Sequence, residues 1–132
     1  MAINVEWDNP EKTIICYHFE ERWTWEEFFE ARRHAQSIIS GVTHNVGVIM
    51  NTPPNIVLPS NLLTHSLTSL RHRHPNTVII VFIAGKSFLN MMISLMTKMS
   101  HLASDSMVMA ANMDEARAII AKRLRNIAEP TC

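Results

Sequence analysis

Apolar and polar positions alternate at the start of the chain, where Asn4 and Glu6 separate Ile3, Val5 and Trp7, and again from Thr13 to Phe19. Alternation with a period of two marks a strand, and Asp8-Asn9-Pro10-Glu11 between the two runs predicts the turn of an antiparallel hairpin. In the second strand Ile15, Tyr17 and Phe19 share one face and Ile14, Cys16 and His18 the other, so both faces are expected to be mostly covered. The period then lengthens. Thr24 followed three residues later by Glu27 is a capping box, with Trp23 and Phe28 at the two positions of a hydrophobic staple. From there Trp25, Phe28, Phe29, Arg32, Ala35, Ile38 and Ile39 fall on one side of a helix, and Glu26, Glu27, Glu30, Arg33 and Ser37 on the other. Gly41 is placed just past the C-cap.

Val46 to Met50 predicts a third strand that runs into Asn51-Thr52-Pro53-Pro54-Asn55, a polar loop stiffened by its prolines. A helix follows from about Ser60 to His72 along a stripe of Leu63, Leu67 and Leu70, and Pro75 ends it. Thr77 to Ile83 is the one stretch built for burial on both faces: a β-branched apolar run between Pro75-Asn76 and Ala84-Gly85, read as the central strand of a largely parallel sheet. The next helix, Phe88 to about Leu102, turns Phe88, Met92, Leu95, Met96, Met99 and Leu102 inward. Met107 to Ala110 is a short last strand. Asn112 caps a final helix whose stripe is Ala116, Ile119, Ile120, Leu124 and Ile127. Some two dozen residues separate each later strand from the next, the length a crossover with its own helix requires. The expected fold is α/β: a mixed, mostly parallel sheet of about five strands with an N-terminal antiparallel hairpin and four helices. It forms a single domain over residues 1–128, with 129–132 a frayed tail.

Composition narrows the classes of function. Twelve basic residues balance twelve acidic ones among 132, leaving no basic excess to hold a nucleic acid backbone or an anionic membrane. Cys16 sits in a strand pattern and Cys132 at the last position, which fits a reducing, cytoplasmic compartment better than a disulfide framework. No basic-then-apolar leader opens the sequence, and no run of about 18 apolar residues offers a membrane span.

Candidate chemistry is sparse. Gly41, Gly47 and Gly85 are the only glycines, so a phosphate-cradling loop is absent, and no Ser, Cys or Thr sits in a nucleophile elbow. His72 and His74 have the spacing of a metal pair, yet no neighbouring Cys or carboxylate completes a site. Neither a metal nor a cofactor is expected, and no catalytic residue is assigned. In an open sheet, partners meet the carboxyl ends of the parallel strands. That edge carries Asn51, Thr52, Asn55, Ser60, Lys86 and Ser87. The methionine-rich helix is apolar around more of its circumference than one buried face needs, so Leu89, Met91 and Ile93 either fill the core or form a homodimer surface. Trp23, Trp25, Phe28 and Phe29 likewise either fill the core beside the hairpin or line a cavity for an apolar ligand, with Arg22 or Arg32 at its mouth.

The order of elements, the loop from Asn51 to Pro59 entering a helix at Ser60, and the terminal Asn112-Met-Asp-Glu-Ala-Arg-Ala-Ile-Ile120 resemble the sulfate-transporter and anti-sigma-factor-antagonist (STAS) domain family, in particular its free-standing bacterial members. The resemblance covers essentially the whole chain, in topology more than in motif: Leu58-Pro59-Ser60-Asn61-Leu62 stands where the family has an Asp-Ser-Ser-Gly type of segment. It implies a non-enzymatic signalling module that binds a protein partner, such as a regulatory kinase, with Ser60 as the phosphorylated residue. Ser60 is equally suited to be a helix N-cap. The other reading is a carrier of small apolar or amphipathic ligands.

Overall fold

The computed structural model describes residues 2–53, 56, 76–83 and 107–128. Five strands form one sheet: β1 (Ile3–Trp7), β2 (Ile14–Phe19), β3 (Val46–Asn51), β4 (Thr77–Ile83) and β5 (Met107–Ala110). Their order across the sheet is their order along the chain. β1 runs antiparallel to β2, and every later pairing is parallel. The mixed α/β sheet with its opening hairpin is therefore as the alternation predicts. Two helices, α1 (Trp25–Ile39) and α2 (Met113–Ala128), are among the described residues. The helices expected at 60–72 and 88–102, and the tail at 129–132, lie outside them. No helix among the described residues is long and apolar enough to cross a membrane.

Asn9 shapes the hairpin turn. Its side-chain carbonyl accepts from the backbone of Thr13 at 3.0 Å and Ile14 at 3.2 Å, and its amide donates to the Thr13 hydroxyl at 2.6 Å. The turn is closed by Lys12, which takes a left-handed φ of 58° without being glycine. Its carbonyl lies 2.7 Å from Nε2 of His44.

The sheet separates two cores. On one side Ile3, Ile15, Tyr17, Val48, Met50 and Ile80 pack against Trp23 and against Ala31, Ala35 and Ile39 of α1. On the other, Ile14, Cys16, Ile49, Ile79, Val81 and Ala110 pack against Ala116 and Ile120 of α2. The centre of the α1 stripe is thus Ala31-Ala35-Ile39, with the aromatics to its side half-buried. Small side chains let the helix approach the strands, so Ala31, which the aromatic pattern overshadowed, is a core residue.

One expectation shifts. β4 is interior, flanked by β3 and β5, but the middle of the sheet is β3. Val46 to Met50 are all buried, whereas Val78, Phe82 and Ile83 of β4 are partly exposed. The apolar run of β4 is longer, but a strand order that follows the chain puts the third strand at the centre.

Both helix starts are capped as their sequences predict. The Thr24 hydroxyl accepts from Glu27 N–H, and a Glu27 carboxylate oxygen accepts from Thr24 N–H at 3.1 Å. Trp23 and Phe28 close the staple with ring centroids 5.9 Å apart. At α2 the Asn112 side chain accepts from Glu115 N–H at 2.9 Å. Gly41 follows the C-cap Ser40, but no glycine among the described residues has a positive φ. The end of α1 is instead closed by Ser40, whose hydroxyl and N–H both bond the Gln36 carbonyl.

Candidate functional site

The four parallel strands end at one rim, and the register decides which residues meet there. His18 of β2 pairs with Asn51 of β3, Asn51 with Ile83 of β4, and Ile83 with Ala110 of β5. Across the hairpin, His18 also faces Asn4. Asn4, His18 and Asn51 therefore form a polar row across three adjacent strands, on the sheet face that bears α2. Asn4 is exposed, and His18 and Asn51 are partly so. α2 packs on β3, β4 and β5.

Just past Asn51 the chain is fastened down. The Thr52 hydroxyl donates to the Ile83 carbonyl at 2.6 Å and its N–H to the same oxygen at 3.1 Å. Thr52, expected at the partner edge, is 7% exposed, and its hydroxyl bonds within the sheet and fixes the rim. Of the expected edge residues that are described, Asn51 is the one that offers a partly exposed side chain. Asn55, Ser60, Lys86, Ser87 and the expected oligomer surface Leu89, Met91 and Ile93 lie outside the described residues.

One step in from the polar row, three side chains form a string that the sequence reading missed. Glu6 Oε1 lies 3.1 Å from His18 Nε2, and His18 Nδ1 lies 3.9 Å from the Cys16 sulfur. A carboxylate, an imidazole and a thiol in line have the order of a nucleophilic triad. Cys16, however, has no exposed surface. Burial first, then the negative charges of Asp8 and Glu6, push its thiol up to about 12, whereas a reactive cysteine needs a depressed pKa and access. The string anchors the imidazole; it does not arm the sulfur. Alternation puts Glu6 on one face of β1 and Cys16 and His18 on one face of β2, but only the register joins the two strands.

Next to this string Arg117 of α2 binds Asp8, Nε to Oδ2 at 2.8 Å and Nη2 to Oδ1 at 3.0 Å. Among the described residues no group of three His, Cys, Asp or Glu is placed to hold a metal ion. Compared with protein-family models, curated proteins and solved structures, the chain matches none.

The opposite face carries the aromatic cluster. Trp23 stands edge-on to Trp25 at 4.9 Å and to Phe19 at 5.3 Å, and Phe28 lies 6.2 Å from Tyr17 and 6.0 Å from Phe29. The Arg32 guanidinium sits 5.1 Å over the Phe29 ring. Desolvation raises the Tyr17 phenol above its ordinary value. These rings pack on one another, and Trp23, Trp25 and Phe28 also belong to or pack against the core on the α1 face.

Proposed function

We propose that this chain is a non-enzymatic interaction module of the STAS type, which docks a protein partner on the rim formed by the carboxyl ends of its parallel strands. The observation that carries the reading is the in-register pair His18 and Asn51, partly exposed beside Asn4 and held in place from behind. Glu6 orients the imidazole, and Thr52 pins the chain beyond Asn51 to β4. Fixed hydrogen-bonding groups on a rigid rim recognise a partner at little conformational cost. An opening hairpin, parallel strands and a C-terminal helix on the opposite face from α1 also fit that family's order of elements. In this reading Ser60 is the phosphoacceptor that regulates docking.

A photocrosslinking residue introduced at Asn51 in the native host tests the docking rim. A discrete adduct at Asn51, missing when the same residue replaces exposed Glu30 on α1, is the expected result. No adduct at Asn51 beyond that seen at Glu30 removes the rim as a docking surface. Incubation with host lysate and ATP, followed by mass spectrometry, tests the regulation: an unmodified Ser60 removes it.

One observation favours a second reading, the apolar carrier. Trp23 is buried and its indole N–H has no hydrogen-bond partner among the described residues, and a buried donor left unpaired costs on the order of 1–3 kcal/mol. A ligand with an acceptor beside an apolar body would satisfy it. Native mass spectrometry of undenatured protein discriminates, because a carrier retains a bound small molecule and an interaction module does not.

A further inference from the structure

Among the described residues no strand pairs with the outer edge of β1, which carries a second kind of surface. Two hydrogen bonds bracket its ladder with β2: Asp8 N–H to the Ile14 carbonyl at 2.7 Å and Glu20 N–H to the Ala2 carbonyl at 2.8 Å. Both involve even-numbered residues that flank β1, and hydrogen-bonded pairs alternate along an antiparallel ladder. Asn4 and Glu6 therefore turn their backbone groups toward β2. Ile3, Val5 and Trp7 turn theirs out of the sheet. Protein edges are normally blunted by proline, lysine, a bulge or a cover, and Ile3 to Trp7 contains neither proline nor lysine. The opposite edge, β5, has four residues against five in β1.

We propose that this edge docks a second copy of the chain, the two β1 strands pairing antiparallel about Val5 to continue the sheet across both molecules. The sequence of β1 is self-complementary in that register. Val5 meets Val5 of the second copy, and Ile3 meets Trp7, so every outward N–H and C=O finds its counterpart. On the α1 face the pairs are apolar. On the other face Asn4 lies opposite Glu6, an amide donor facing a carboxylate. Neighbouring registers that preserve the outward bonding are worse. A shift one way sets Glu6 against Glu6, and like charges directly opposite are destabilising; a shift the other way sets Asn4 against Asn4 and moves Trp7 beyond the start of the partner strand. An edge of five residues is smaller than the roughly 800 Å² per partner of a standard stable interface, so the association is weak and concentration-dependent. Asn4, which belongs to the polar row of the rim, and Glu6, which holds His18, lie within this interface.

Sedimentation equilibrium and amide exchange, both run from micromolar to millimolar protein, test this edge. The expected result is a mass that rises toward twice the monomer, while exchange at the Ile3, Val5 and Trp7 amides slows by roughly tenfold or more. Asn4 and Glu6, already bonded to β2, do not change. Val5→Pro removes an outward N–H that the β1–β2 ladder does not use, so this variant keeps the wild-type spectrum away from β1 and stays monomeric. A monomeric mass at every concentration with unprotected Val5, or a Val5→Pro protein that pairs as tightly as wild type, overturns the proposal. Should the proline variant fail to fold, exchange in the wild-type protein decides alone.

Discussion

Arg117, on the last helix, grips both carboxylate oxygens of Asp8, at the mouth of the first hairpin, from 109 residues away. The Asp8 side chain is only 10% exposed, and Arg117 also lies 3.6 Å from Asp114. The hydrogen bond and the charge of Asp8 raise the guanidinium above its ordinary value. Two parallel N–H···O bonds give this pair a defined geometry that a single lysine contact would lack. Asp8→Asn and Arg117→Gln are each expected to lower the urea midpoint modestly. The double variant loses less than the sum, and a double-mutant cycle measures the coupling. Simple additivity would mean that the ends of the fold are not joined there.

At Gly47 on β3 the sheet backbone lies against Ile120 of α2. A Cβ there would stand 2.9 Å and 3.0 Å from the Cγ1 and Cδ1 atoms of Ile120 and closer still to Cγ2. Ile120 is fully buried and cannot swing into solvent. Gly47→Ala is expected to destabilise by about 1–3 kcal/mol, the range for overpacking a filled core. Ile120→Ala removes Cγ1, Cγ2 and Cδ1 together, so in that background the cost of Gly47→Ala should shrink, which chemical denaturation of the single and double variants would read.

Glu27 links the first helix to the first strand. One carboxylate oxygen accepts from Ala2 N–H at 3.2 Å, and the other from Thr24 N–H at 3.1 Å. The Ala2 bond, followed by those from Thr24, holds the carboxyl below its ordinary range. A depressed folded-state pKa stabilises the protein above the unfolded carboxylate value, and this contribution is lost as pH falls through the folded one. The acid limb of a stability profile should therefore be shallower in Glu27→Gln than in wild type. Thr24→Ala is expected to cost about 1 kcal/mol at neutral pH, the usual worth of such a cap.

Cys16 is predicted to be inert in the folded protein. At mildly alkaline pH a thiol with a pKa of about 12 and no exposed surface holds almost no accessible thiolate. Iodoacetamide should leave the Cys16 peptide unmodified in native protein and label it fully in denaturant, as judged by peptide mass mapping. Native labelling at a free-thiol rate would mean that the Glu6-His18-Cys16 string works as a nucleophile.

What the sequence made legible was local. The capping box at Thr24, the Asn9 turn, the alternation of β1 and the bounds of β4 and β5 are all set by residues within a few positions of one another, where turn chemistry and periodicity act directly. The relationships that define the candidate site are between strands. Nothing near His18 in the chain announces Asn51 or Glu6, because their neighbourhood comes from parallel register with β3 and antiparallel register with β1. Ala31 went unnoticed for a related reason: an alanine carries little apolar signal, yet close helix approach makes it central. Thr52 was read as a surface group because a polar residue after a strand usually is one, and only the Ile83 carbonyl shows where its hydroxyl is spent.

Strand order that copies chain order has a consequence for synthesis on the ribosome. Each strand, once made, can join the edge left by the one before it, so no strand has to be inserted between two that are already paired. Among the described residues, the side of the sheet holding Ile49, Ile79 and Val81 is covered by Met113 to Ala128, which is made after all five strands. A nascent chain stalled before that helix would lack this cover over Ile49, Ile79 and Val81.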